Sequence, residues 1–220
     1  MFIGHFAVAF GAKRAAPAVS LGTLFLAAQL ADLLWPNFVL LGLEHFEVRP
    51  GATLVTPLEF VSYPYSHSLV ALIGWSALAA ALYGMMRRST VGALVIAAAV
   101  LSHWLLDVVT HKPDMPITFG GPRLGLGLWN SIPATIAVEG VMFAAGVLLY
   151  VRSTRAKDRA GSFGLWALLL FLVGVYITNF ISPPPPSTAA VAWTAQAMWL
   201  LIAWGYWIDR HRLPRVAGLP

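Results

Sequence analysis

The stretch "SHWLLDVVTH", residues 102–111, ends an apolar run and carries ionisable side chains at every fourth position, His103, Asp107 and His111. Because an α-helix turns by about 100° per residue, four-residue steps keep all three on one stripe of the helix. A carboxylate and two imidazoles on an apolar helix are costly to bury without partners. The stretch therefore indicates a helix that presents polar ligands to a shared interior site.

The composition of the chain is typical of a membrane protein. Of its 220 residues, 59% are hydrophobic and 10% are charged, and the mean hydropathy is +0.75. Soluble domains carry about 25% charged residues, so this chain has too little polar surface to face water on all sides. There is no cysteine, which excludes disulfides and thiolate chemistry. We predict an all-α fold, a polytopic membrane helical bundle that forms a single domain over residues 1–220.

Apolar runs of the length that crosses a bilayer, about 20 residues, recur along the chain. They predict about six transmembrane helices, at residues 21–41, 66–86, 91–110, 130–151, 163–182 and 189–208. Lys and Arg concentrate in cytoplasmic loops, and with the N-terminus inside only three of the fourteen would lie outside: Arg49, Lys112 and Arg123. We therefore expect both termini on the cytoplasmic side, and the net charge of +5 needs no nucleic-acid partner to explain it.

Ionisable residues lie within or at the edge of the first four predicted spans: Asp32, His67, His103, Asp107 and Glu139. The predicted topology places all of them in the outer half of the membrane. A charge at mid-bilayer costs about 2.5–3.5 kcal/mol, so these groups should face one another, a cavity or a cation. Imidazole nitrogen mixed with carboxylate oxygen suits zinc, with manganese as a second choice, and Asp107 would be placed to bridge two metals. A proton relay is the alternative use of such a cluster.

Four motifs carry a family resemblance: "GHF" at 4–6, "ADLLWP" at 31–36, "YSHSL" at 65–69 and "LSHWLLD" at 101–107. Over roughly the first 140 residues the chain resembles a bacterial inner-membrane family of metal-dependent hydrolases, some of whose members are LexA-regulated. That family is similar to zinc-dependent phospholipase C and the fungal zinc nucleases, which are all-helical. The resemblance implies location in the bacterial cytoplasmic (inner) membrane.

The ligand order of those zinc enzymes is His, Asp, His, His-x-x-x-Asp, His, His-x-x-x-Glu. Carried onto this chain, the resemblance implies seven metal ligands: His5, Asp32, His67, His103, Asp107, His111 and Glu139. By the same analogy Asp32, His67, His103 and Asp107 would hold a first metal. His111 and Glu139 would hold a second one. The chain departs from the pattern at Thr135, which stands where the last His is expected, and it lacks the N-terminal Trp of those enzymes.

His5 lies close in sequence to the basic pair Lys13-Arg14, which is expected at the cytoplasmic side. It reaches the other ligands only if residues 2–12 fold back into the membrane as a short re-entrant helix, which their apolar character permits.

These expectations favour a membrane-embedded metal-dependent hydrolase that acts on a phosphoester or lipid-like substrate. Asp32 or Glu139 would serve as general base, and Lys112 and Arg123 would either meet an anionic headgroup or only solubilise their loop. Residues 1–140 would hold the metal site, and helices at about 160–210 would be accessory. A small proton- or metal-coupled transporter is the alternative function, and a non-catalytic scaffold is a third. The polar group Glu44, His45 and Glu47 favours an ordinary outer rim over a supporting role at the site.

Overall fold

The computed structural model describes residues 1–215, so the last five positions of the predicted domain lie outside the described residues. Ten α-helices dominate this part of the chain: α1 (Ile3–Ala15), α2 (Leu21–Ala28), α3 (Leu30–Leu40), α4 (Pro64–His67), α5 (Leu69–Arg87), α6 (Thr90–Thr110), α7 (Ile132–Ser153), α8 (Arg159–Ile181), α9 (Thr188–Ala195) and α10 (Met198–Arg210). Six short strands form three antiparallel pairs: β1 (His45–Val48) with β2 (Leu58–Ser62), β3 (Met115–Pro116) with β4 (Arg123–Leu124), and β5 (Thr154–Ala156) with β6 (Arg212–Pro214).

Four helices, α5 to α8, are long and apolar enough to cross a membrane. They contain 19 to 23 residues each, and their most apolar windows have a mean hydropathy of 1.8 to 2.0. Helix α5 lies along α6 and exposes large apolar side chains such as Ile73, Leu78 and Leu82, which suits contact with lipid tails. The prediction of a mostly helical fold is confirmed, the four apolar helices are consistent with a membrane protein, and they match the second to fifth predicted spans.

The first and last predicted spans are not continuous helices. The first is a bent pair, because α2 and α3 meet at Gln29 with an angle of 55° between them. The last is divided into α9 and α10 by two residues, Gln196 and Ala197. The structure therefore contains four helices that qualify as spans, or five if the bent pair counts as one. A hydropathy profile averages over such breaks and cannot locate them.

Helix α1 lies inside the bundle, packed against α7, α2 and α6. Its Phe6 and Phe10 are fully buried and meet the ring of Phe25 edge-on at centroid distances of 5.0 and 5.1 Å. Thirteen residues rise only about 20 Å, which is too short to cross the hydrocarbon core. The short N-terminal helix thus folds back among the other helices, as expected for a re-entrant segment.

The end of the bundle that carries the basic residues is held by polar contacts. Lys13 of α1 donates to both carboxylate oxygens of Asp209 on α10, at 3.1 and 3.0 Å. Asp158 caps α8, and hydrogen bonds from the His211 ring and from the Gly161 N–H lower the pKa of its carboxyl. The pair of Lys13 and Asp209 joins the first and last helices, and the Asp158 contact with His211 holds the start of α8 against the end of α10.

The contact between α1 and α7 depends on a glycine. A Cβ atom at Gly146 would collide with the carbonyl of Ala7, whereas a Cβ at Gly140 on the same helix meets open space. We expect Gly146→Ala to lower the unfolding free energy by about 1–3 kcal/mol, because α1 must shift to make room. Thermal unfolding in detergent measures this, with Gly140→Ala as the matched control. Equal melting temperatures for the two variants would contradict the packing described.

Candidate metal centre

The polar stripe of α6 forms the floor of the site. His103 and Asp107 lie one turn apart on its buried face, and their side chains are 1% and 3% exposed. His111 caps the helix with an extended backbone, so it leaves the stripe just beyond the last turn. The pattern in the opening stretch therefore holds for the first two residues, and the third points elsewhere.

Nitrogen and oxygen atoms from three helices converge above this floor. Nε2 of His67 lies 3.5 Å from Oδ1 of Asp32 and 3.8 Å from Oδ2 of Asp107. Nε2 of His103 lies 3.7 Å from the same Asp32 oxygen and 3.1 Å from the same Asp107 oxygen. Asp32, His67 and His103 form one set of three potential ligand atoms that lie within 4.8 Å of one another.

His5 also reaches the cluster from α1. Its Nε2 lies 3.1 Å from Oδ1 of Asp107, and its ring stacks on that of His103 at a centroid distance of 3.7 Å. His5, His103 and Asp107 form the second set of close potential ligands. The α-amino group of Met1 lies 2.5 Å from the same Asp107 oxygen. Asp107 thus directs one oxygen to His67 and His103 and the other to His5.

The imidazole of His67 is oriented by a hydrogen-bond chain. Its Nδ1 lies 2.7 Å from the hydroxyl of Ser66, which donates to Oε2 of Glu44 at 2.6 Å. Because that hydroxyl donates to Glu44, it accepts from the Nδ1–H of His67, which leaves the Nε2 lone pair directed at Asp32 and Asp107. The other Glu44 oxygen accepts from the backbone N–H groups of Tyr65 and Ser66.

His103 is also oriented with its Nε2 toward the cluster, by a contact at the bend between α2 and α3. Its Nδ1 lies 2.8 Å from the carbonyl oxygen of Ala28, at the end of α2. A carbonyl only accepts, so Nδ1 carries the hydrogen and Nε2 faces the cluster. Nε2 is buried and has no hydrogen-bond partner of acceptable geometry, although two carboxylate oxygens lie nearby.

His111 lies at the edge of the site. Its Nδ1 is 2.9 Å from Oδ1 of Asp114, which also accepts from the hydroxyl of Tyr63 at 2.9 Å. Burial beside Asp114 raises the pKa of Tyr63 well above its usual range, so the phenol stays protonated and donates. His111 lines the same cavity as the cluster but belongs to neither set of close ligands among residues 1–215.

Glu139 enters the cavity from α7 and also lies outside both sets of ligands in the described part of the chain. Its Oε2 accepts from the N–H of Gly4 at 3.3 Å, and its buried Oε1 has no partner. Thr135 stands where the last His is expected. Its hydroxyl donates to the carbonyl oxygens of Leu128 and Ser131, which is a local contact at the start of α7. A second metal on His111 and Glu139 therefore stays a prediction.

The two cationic residues suggested for headgroup binding lie outside the cavity. Lys112 pairs with both carboxylate oxygens of Glu59 at 2.5 Å, and Arg123 donates to the carbonyl of Val61 at 2.9 Å. Neither lines the large cavity beside the cluster. Both side chains instead hold the loop after α6 against the β1–β2 hairpin.

Glu44 is the supporting residue that the sequence interpretation missed. It is 1% exposed and holds Ser66, whereas its neighbours His45 and Glu47 are exposed as a rim residue should be. The expectation of an ordinary rim is therefore wrong for Glu44 and confirmed for the other two. No local signal separates them, because the burial of Glu44 depends on how α3 ends against the "YSH" motif 22 positions away.

A cavity of about 790 Å³ opens directly onto the cluster. Asp32, His67, Asp107 and Glu139 lie at its polar end. Side chains of α8, α9 and α10 line much of the rest, together with residues of the N-terminus, of α3 and of the β1–β2 hairpin. The side chain of Asp32 is 32% exposed, in contrast to the buried histidines around it. The cluster is therefore accessible from one side.

Several distances within the cluster are close to those between the ligands of a divalent metal. Ligands placed tetrahedrally at about 2.0–2.2 Å from zinc lie roughly 3.3–3.6 Å from one another. The four distances between the His67 and His103 Nε2 atoms and the Asp32 and Asp107 oxygens range from 3.1 to 3.8 Å. The buried Nε2 of His103 has no hydrogen-bond partner, and a bound cation would supply a partner. Buried His and Asp residues of this chain could hold a metal ion.

No family model, curated protein or solved structure matches this chain.

The chain from Glu44 through Ser66 to His67 yields a prediction. Glu44→Gln should weaken metal binding by about 10–100-fold, because His67 loses the carboxylate that fixes its tautomer. Zinc affinity measured by competition with a chelating dye tests this, with exposed Glu47→Gln in the neighbouring hairpin as the control. Unchanged affinity in Glu44→Gln would remove Glu44 from the supporting role.

Proposed function

We propose that this protein is a metal-dependent hydrolase embedded in the bacterial cytoplasmic membrane, acting on a phosphoester of a lipid-like substrate. The observation that carries the proposal is the accessible His/Asp cluster at the polar end of a large apolar cavity. Catalytic metal sites keep one position open to water or substrate, and Asp32 faces the side from which the cluster can be reached.

His67, His103, Asp32 and Asp107 would hold the metal, with His5 on the second oxygen of Asp107. Zinc bound there, or manganese, would supply an activated water and polarise a phosphoryl oxygen. Asp32 is the candidate general base, because its carboxylate combines contact with both histidines and access to the cavity. Glu139, with one oxygen unpartnered at the cavity wall, is the second candidate.

The proposed orientation places both termini in the cytoplasm, from the distribution of Lys and Arg. In that orientation the C-terminal end of α6, and with it the cluster, lies toward the outer face. A phosphoester headgroup would sit at that level while its tails remain in the bilayer. The location in the inner membrane rests on the resemblance of the four sequence motifs.

Metal content tests the first step of the proposal. Purified protein should contain one or two equivalents of zinc or manganese, and Asp107→Asn should lose at least half, because Asp107 faces His5, His67 and His103. Elemental analysis by mass spectrometry measures this. Asp158→Asn, whose carboxylate lies in an exposed loop, is the control. A wild-type protein without stoichiometric metal after chelator-free purification would contradict the proposal.

A proton- or metal-coupled transporter is a second candidate, supported by the broken helices. The bent pair α2–α3 packs against the divided pair α10–α9, α2 on α10 and α3 on α9. Gln196, at the break between α9 and α10, donates to Asn37 of α3 at 3.3 Å. Paired discontinuous helices next to an ion site are typical of secondary transporters.

Flux measurements separate the two candidates. In liposomes that contain a zinc-sensitive dye, the hydrolase proposal predicts no more zinc uptake by the wild type than by Asp107→Asn. Uptake that follows a pH gradient and disappears in the variant would favour the transporter. Release of phosphate or headgroup from phospholipid by the wild type alone would favour the hydrolase.

A further inference from the structure

The cavity beside the metal cluster continues into a gap between α8 and the pair α9–α10. These helices belong to the part of the chain that was expected to be accessory. Helices α8 and α10 pack closely at one end, where the Gly164 position leaves no room beside the ring of Trp207. The rings of Phe171 and Trp204 are 6.0 Å apart further along. Beyond this point α8 and α9 hardly touch. The helices therefore diverge toward the proline-rich loop that joins them.

The walls of this gap are mostly apolar. On α8 the lining residues Phe171, Val175 and Asn179 recur at every fourth position and so share one face. On the opposite wall the lining residues of α9 and of the break after it are mostly small, including Ala190 and Ala197, whereas those of α10 are large. The small residues opposite α8 leave a channel between the helices.

The same cavity reaches the surface through residues that face the membrane. Phe171 is 49% exposed and Leu200 is 71% exposed, and both also line the cavity. At its inner end the lining includes Asp32 and Glu139 of the metal site. One continuous space thus connects the lipid-facing surface of the bundle with the cluster.

The charges of the lining residues determine where the anionic and the apolar parts of a ligand can lie in the cavity. No Lys or Arg is among the lining residues of the described chain, and apart from the cluster the lining is predominantly apolar. An anionic group placed along α8 or α9 would be buried without a counter-charge, which is costly. A phosphate can therefore be accommodated only where a bound cation would meet it, and the rest of the space accepts hydrocarbon.

We infer that the gap between α8 and α9–α10 is a lateral opening for a membrane-resident phospholipid, one of whose acyl chains lies along α8 while its phosphate reaches the cluster. This inference rests on the proposed function for the identity of the reaction, but chain binding does not require turnover. The cavity volume of about 790 Å³ is within the range of small-molecule binding sites. Its lining is mostly apolar, as the lining of such sites is. Helices α8 to α10 are then the substrate-binding part of the molecule.

Photo-crosslinking tests chain binding separately from catalysis. Metal-loaded protein is placed in nanodiscs of phosphatidylethanolamine and phosphatidylglycerol that contain a non-hydrolysable phosphonate analogue of phosphatidic acid with a diazirine at the end of one acyl chain. After irradiation, mass spectrometry should locate label at Met198 and Leu201, which line the cavity. Val175→Trp should reduce that label by about tenfold by filling the channel. Ile177→Trp, on the outer face of the same helix, should leave it unchanged.

Ala197→Trp fills the channel from the opposite wall and serves as the second variant if Val175→Trp is not folded. Equal labelling at Met198 in the wild type, Val175→Trp and Ala197→Trp would overturn the inference.

Hydrolysis gives the companion measurement on metal-loaded protein. The two filling variants should lower kcat/KM for a long-chain phosphatidic acid or phospholipid by about tenfold, and leave that for a short-chain soluble phosphoester unchanged. Equal losses on both substrates would overturn the inference but leave the hydrolase intact. Absence of any metal-dependent hydrolysis with specific labelling of the channel would overturn the proposed function and retain the lipid site.

Discussion

The carboxylate of Asp107 is the charge on which the centre of this structure depends. It is almost completely buried, and its oxygens face His5, His67 and His103 and the α-amino group of Met1. Burying an isolated carboxylate costs several kcal/mol. Helices α1, α4 and α6 must therefore pack so that cationic or metal-binding groups lie beside this carboxylate. The helix packing of the first half of the chain satisfies this one requirement.

Helix α1 illustrates how the requirement determines the fold. It is too short to span the membrane, and its apolar residues alone would allow it to lie at the interface. Its burial brings His5 onto Asp107 and the Gly4 N–H onto Glu139, while Gly146 of α7 permits the close backbone approach. The other end is held by Lys13 and Asp209. Polar contacts at both ends thus fix a helix whose middle is held by aromatic packing.

The sequence predicted the class of fold and the inner residues of the site, because both follow from short-range patterns. Apolar runs identify α5 to α8, and four-residue spacing places His103 and Asp107 on one face. The parts that it missed depend on long-range geometry. The bend at Gln29 frees the Ala28 carbonyl for His103, and Glu44 becomes buried only where α3 ends against the turn before α5. Lys112 has a carboxylate partner 53 positions away, which no local pattern reveals.

The exposure of Asp32 bears on whether the proposed metal site would meet a ligand or would only hold helices together. A structural metal centre is closed on all sides by protein ligands. Asp32 is 32% exposed, and it lies at the end of a cavity large enough for a substrate. Maintaining such a space in a bundle sacrifices packing that apolar side chains would otherwise supply. This packing is absent beside the polar cluster. That is the arrangement expected where a ligand, and not a side chain, completes the site.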